Sequence, residues 1–166
     1  MSQVVIILGS ENDKQVVEES KMLDVLHGVG VSWKLSIISA HRNHRQLVSY
    51  CFEMEKDGTL VFIAAAGMAA VLPGAIASYI RHRPVIGVPL ISEVLDGQDA
   101  LFSMVRMPEG IPVAVSGIGK SGLYNAAILA CQIVAIKDST VEANLEKFLI
   151  EKEKIPQISV LSSKES

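Results

Sequence analysis

Five short apolar runs punctuate the chain at Val4 to Leu8, Trp33 to Ile38, Thr59 to Ala64, Pro84 to Pro89 and Ile111 to Val115, with helix-patterned stretches between them. All but the second are largely continuous rather than alternating. A strand that is apolar at successive positions is buried on both faces, the condition of a central strand in a parallel sheet. The intervening stretches predict helices over Lys14 to His27, Arg45 to Lys56, Ala69 to Arg81, Gly97 to Val105 and Tyr124 to Lys137. This strand-helix alternation specifies an α/β fold with a doubly wound parallel sheet.

The boundaries carry their own chemistry. Asp13 is an expected N-cap for the first helix, which Gly28-Val29-Gly30 ends, and Pro73 would kink any helix begun at Ala69. Thr140 to Leu149 reads as an amphipathic helix, and the charged, Ser-rich end Ser162 to Ser166 is expected to fray. A chain of 166 residues suits a single domain. The expected division is a catalytic domain over 1–138, followed by a helix and flexible tail over 139–166 that pack on or between subunits.

Several function classes are disfavoured at this level. The net charge is -3 with no block of Lys and Arg, whereas a nucleic-acid face needs a concentrated basic stripe. No apolar run approaches the roughly 18 residues of a membrane span, and Met1-Ser2-Gln3 leads straight into a strand without a signal-peptide pattern. Cys51 and Cys131 lie in apolar, helix-like surroundings and read as buried free thiols, consistent with a cytoplasmic protein. Hydrophobic residues reach 49% against 20% charged. Either subunits cover part of that apolar surface, or the sheet is simply buried on both faces.

In open parallel sheets, ligands bind beyond the carboxyl ends of the strands. Gly9-Ser10-Glu11-Asn12-Asp13 follows the first strand, and a helix starting there offers backbone N–H groups and the Ser10 hydroxyl to a phosphate. An ordinary turn in which Ser10 or Asp13 merely caps is the alternative. Asp13 would repel a phosphate and suits a ribose hydroxyl instead. Ser39-Ala40-His41-Arg42 follows the second strand and sets a titratable imidazole beside a guanidinium. His41 is therefore a candidate general acid and base, its alternative being an exposed loop histidine. Ala64-Ala65-Ala66-Gly67-Met68-Ala69-Ala70, small but for Met68, would let a ligand approach closely, or would merely allow tight helix packing. His44, three residues beyond His41 and near the start of a helix, reads as a surface group, its alternative being a share of the same pocket; His27 and His82 read as structural or exposed. No His-Glu-x-x-His, paired cysteine, calcium loop, Walker lysine or Rossmann glycine triplet is present, so neither a metal nor an organic cofactor is expected.

Taken together, Gly9-Ser10-x-x-Asp13, Ser39-Ala40-His41-Arg42, Ala66-Gly67-x-Ala69-Ala70-x-Leu72-Pro73-Gly74, Pro84-Val85-Ile86-Gly87-Val88-Pro89, Met107-Pro108-x-Gly110-x-Pro112-Val113 and Asn125-Ala126-Ala127 resemble the PurE family, in order and in register over about residues 4 to 136. These are the N(5)-carboxyaminoimidazole ribonucleotide mutases of purine biosynthesis. The resemblance implies a flavodoxin-like, three-layer αβα sandwich, a homo-octamer, a small ribonucleotide substrate, and transfer of a carboxylate through carbon dioxide without a cofactor. It implies His41 as the catalytic acid and base. It further implies substrate contacts from Gly9, Ser10, Asn12, Asp13, Ser39, Ala40, Arg42, Ala66, Gly67, Met68, Ala69 and Leu72. In that set Ser10, Ser39 and Arg42 would take the phosphate, Asp13 the ribose, and Gly67 with its small neighbours the carboxylate.

Arg42 favours the mutase, because a related branch that carboxylates aminoimidazole ribonucleotide directly resembles Ser-Ala-His-Lys at this point. The chain also departs from the pattern. Asn12 stands for a serine, Asn43-His44 for Thr-Pro, Met68 for a glycine and Val71 for a histidine. Direct carboxylation and a catalytically silent nucleotide-binding homologue are the competing expectations.

Overall fold

In the computed structural model, which describes residues 1–153, the strands are β1 (Val4–Leu8), β2 (Trp33–Ile37), β3 (Val61–Ala66), β4 (Val85–Pro89) and β5 (Ala114–Val115). They form one sheet in the order β2-β1-β3-β4-β5, each neighbouring pair parallel. The chain leaves β1 for β2 on one side, then crosses back to β3 on the other.

Successive side chains of a strand point to opposite faces, and β1 feeds both. Val4, Ile6 and Leu8 join one core with α1 (Lys14–Glu19), α2 (Met22–Val29), α6 (Gly119–Ala135) and α7 (Ser139–Glu153). Val5 and Ile7 join the other with α3 (His44–Lys56), α4 (Leu72–Tyr79) and α5 (Gln98–Val105). The architecture is the expected αβα sandwich, and the 2-1-3-4-5 order is the flavodoxin-like one. The one strand without a continuous apolar run, β2, lies at an edge and is half exposed.

Several boundaries differ from expectation, each for a physical reason. The expected helix from Lys14 to His27 is two helices. At the break the Ser20 hydroxyl donates to the Val17 carbonyl at 2.7 Å and accepts from the Met22 N–H at 3.2 Å, while Lys21 turns left-handed at φ 61°. The third strand runs two residues later than expected, because Ala65 and Ala66 pair with Val88 and Pro89 of β4. The next helix starts at Leu72 rather than Ala69: Met68 and Ala70 have φ of 57° and 38°, and Pro73 falls in the first turn, where its missing N–H costs nothing.

The last strand shrinks to two residues, since Pro112 has no N–H to give the ladder. The helix expected from Tyr124 begins at Gly119; a side chain at Gly122 would collide with the Gly117 carbonyl, so two glycines permit the tight entry. Asp138 caps the last helix, its carboxylate accepting from the Thr140 and Val141 N–H groups at 3.1 and 3.2 Å. Val141 and Leu145 of that helix are buried in the chain's own core. Ser162 to Ser166 lie outside the described residues. Cys51 and Cys131 are buried and free, and among the described residues no helix is long and apolar enough to cross a membrane.

Candidate active site

The sheet brings three loops to one level. At the carboxyl ends of the strands, the Gly9 N–H donates to the Ala65 carbonyl at 3.1 Å, Ile38 N–H to Leu8 at 3.0 Å, and Leu90 N–H to Ala66 at 3.0 Å. The Gly9–Asp13 turn is therefore flanked by the Ser39–Asn43 loop after β2 and the Gly67–Val71 loop after β3. Connections from β1 and β3 diverge to opposite faces, and the cleft at such a switch point is where doubly wound sheets bind ligands.

The first turn is self-capped. Ser10 Oγ accepts from the Asn12 N–H at 3.3 Å, and the Ser10 N–H donates to the Asp13 carboxylate at 2.9 Å. Asp13 stands at the expected N-cap position of α1 but makes no side-chain bond to that helix; its carboxylate instead closes a capping box with Ser10 over a 3₁₀ turn. Burial raises the Asp13 carboxyl above the usual aspartate range, and bonds from the Ser10 and Gly9 N–H groups pull it partly back. A Cβ at Gly9 would make only ordinary contacts, 3.5 Å from the Ala66 Cβ and 3.7 Å from the Asp13 carboxylate.

The second loop folds around Ser39. Its hydroxyl accepts from the Arg42 N–H at 3.3 Å and its carbonyl from the Asn43 N–H at 2.8 Å. Ala40 is buried, which leaves His41 and Arg42 side by side and exposed. Ser10 and Ser39 each use an oxygen lone pair on a backbone N–H, so both hydroxyl protons are free to donate to an anion.

In the third loop a Cβ at Gly67 would stand 3.3 Å from the Leu90 carbonyl. The Ala70 N–H donates to the Gly67 carbonyl at 3.2 Å, Met68 is 70% exposed and Ala69 is exposed. Two expected contacts are placed differently from the rest. Ala66 is the last residue of β3, and Leu72 turns its side chain into the core, so it can face a ligand only through its backbone. In this single chain the three loops form an open shelf. A shallow surface depression of about 330 Å³ lies elsewhere, between the α1–α2 elbow and the start of α6, and a pocket of about 170 Å³ lies below β4 and β5.

Sequence reasoning missed two side-chain contacts, one beyond β5 and one at the exit of the second loop. The Asn125 amide donates to the Ser116 carbonyl at 3.1 Å, and His44 pairs with Tyr79, 35 residues away.

Comparison with known proteins agrees with the fold and gives the family. The family model described as AIR carboxylase matches residues 3–154. A protein named N5-carboxyaminoimidazole ribonucleotide mutase from Saccharolobus solfataricus is 43% identical over 148 residues, covering 89% of this chain and 90% of its own. Proteins of the same name from Pyrococcus abyssi and Pseudomonas aeruginosa are 44% and 42% identical, covering 89% and 86% of this chain and 82% and 86% of theirs. The crystal structure of Treponema denticola PurE superposes with a TM-score of 0.79 at 28% identity, over 91% of each chain. The chain belongs to the AIR carboxylase family.

Proposed function

We propose that this protein is an N(5)-carboxyaminoimidazole ribonucleotide mutase, an isomerase of purine biosynthesis that moves a carboxylate from the exocyclic nitrogen of its substrate to carbon 4 of the imidazole. The observation that carries the reading is that the Ser10–Asp13 turn and the His41–Arg42 loop leave the carboxyl ends of adjacent parallel strands, β1 and β2, in a chain whose relatives bear that name.

The residues divide the work by chemistry. Arg42 and the free hydroxyl protons of Ser10 and Ser39 hold the phosphate, Arg42 through a planar fork suited to two charge-assisted bonds. Asp13 keeps an oxygen for the ribose. Gly67 and Ala69 let the substrate carboxylate lie close to the backbone.

Loss of carbon dioxide from the carbamate leaves the electron pair on the exocyclic nitrogen, which takes up a proton. The electron-rich ring then attacks carbon dioxide through carbon 4, and that carbon gives up its hydrogen as a proton. One proton is delivered and one recovered, so a single imidazole, His41, closes the cycle. Carbon dioxide that escapes ends it, so the shelf must be covered during turnover.

Met68, Val71, Ile91, Val94, Leu95 and Ile118 are exposed apolar side chains on the loops at this end of the sheet. Their exposure favours cover by neighbouring subunits, with the homo-octamer as the assembly and the cytoplasm as its compartment. Sedimentation combined with assay on dilution tests the assembly.

The reaction itself is tested by supplying freshly made N(5)-carboxyaminoimidazole ribonucleotide without ATP or bicarbonate. Formation of the carbon-carboxylated product above spontaneous decay is expected. Activity only with aminoimidazole ribonucleotide and dissolved carbon dioxide would assign direct carboxylation instead, and binding without turnover a silent homologue.

A further inference from the structure

We infer that His44 and Tyr79 form a strut that positions the His41–Arg42 loop, an inference that rests on the mutase reading above. The loop is closed internally by Ser39, but its exit is weakly secured. Asn43 sits at φ -128°, ψ 38° at the start of α3, and its side chain makes no cap bond.

The next residue supplies the fastening. His44 Nε2 lies 3.2 Å from the Tyr79 hydroxyl, with ring centroids 5.8 Å apart and planes tilted by 57°. Phe52, about two turns along α3, meets the Tyr79 ring edge-on at 6.3 Å, so the phenol is held at two points along α3. This is the one side-chain hydrogen bond joining α3 to α4 among the described residues. Tyr79 ends α4, the helix that follows the Gly67–Val71 loop. The strut therefore ties the helix behind one candidate loop to the helix behind another.

Neither residue is placed to touch the reacting atoms, so both are positioning residues. Their effect runs through the alignment of His41 and Arg42, and small misplacements of reacting groups are costly in rate. Tyr79→Phe removes the hydroxyl and keeps the ring against Phe52. His44→Pro offers an independent way to fix the same exit, because proline at the first helical position is pre-organised and the N–H it lacks is one a helix leaves unpaired.

The experiment compares kcat and KM of the wild type, the two single variants and the double variant. Tyr79→Phe is expected to lower kcat about three- to tenfold. In the His44→Pro background the same change should alter kcat by less than about 1.5-fold. An unchanged kcat in Tyr79→Phe, or an equal loss in both backgrounds, would overturn the strut. Amide hydrogen exchange of residues 39–43 gives the same comparison without turnover: faster in Tyr79→Phe and restored in the double variant, or else the strut is rejected. A wild type with no mutase turnover but with that exchange pattern would count against the function and not against the strut.

Discussion

The Ser10 N–H donates to the Asp13 carboxylate at 2.9 Å, so the residue assigned to the ribose also holds the turn assigned to the phosphate. One carboxylate shapes the loop and, in the proposed function, also meets the substrate. Because burial raises its pKa above the unfolded value, the folded state binds the proton more tightly than the unfolded state does. Stability is then lost as pH rises from the ordinary aspartate range through the raised folded value.

Asp13→Asn keeps an acceptor oxygen for Ser10 and carries no charge. Urea unfolding should find it at least as stable as the wild type at pH 7, with the difference shrinking as pH falls below the ordinary aspartate range. Its KM should rise, since a neutral amide is a weaker acceptor for a ribose hydroxyl. A variant whose stability deficit is largest at pH 7 would contradict the assignment.

Met68 occupies a left-handed backbone position, φ 57°, with its side chain 70% exposed. A non-glycine residue there costs roughly 1–2 kcal/mol, against roughly 0.5–1 kcal/mol for the extra unfolded-state freedom of glycine. Met68→Gly should therefore stabilise the protein by up to about 1.5 kcal/mol in urea unfolding. Destabilisation would mean that the Met68 side chain makes packing contacts in the assembled protein.

Arg42→Lys keeps the charge and loses the fork. Because one bidentate bond becomes a point-charge contact, KM should rise about tenfold with kcat changed far less. An unchanged KM would remove Arg42 from the phosphate site.

Cys51 and Cys131 are buried, and burial pushes both thiols up to about 12. Neither should react with a thiol reagent at pH 8 until the protein is unfolded, when both should. Rapid labelling of native protein would show that one of these sites opens.

What the sequence made legible was what burial alone determines. Val4 to Leu8 could be bounded to the residue because a central strand is apolar on both faces. The break at Ser20 and Lys21 could not, since the apolar pattern continues across it and only local bonds to the Ser20 hydroxyl mark it. Ala65 and Ala66 read as loop for want of bulk, and pairing with β4 makes them strand.

The candidate loops could be named from their residues, whereas their adjacency follows from the strand order, which no local pattern encodes. Leu72 could be placed near the site by motif, but not its side chain in the core. The His44–Tyr79 pair has no local signal at all.

In the proposed reaction the proton is carried by His41. The measurement is turnover of N(5)-carboxyaminoimidazole ribonucleotide by the wild type and by His41→Asn, with folding and assembly of the variant checked alongside. The variant should fold and bind ribonucleotide yet lose about 10²–10⁴-fold in kcat, the usual contribution of a positioned acid and base. A folded His41→Asn protein that turns over within about threefold of the wild type would contradict the account, because that is far below what such a group contributes.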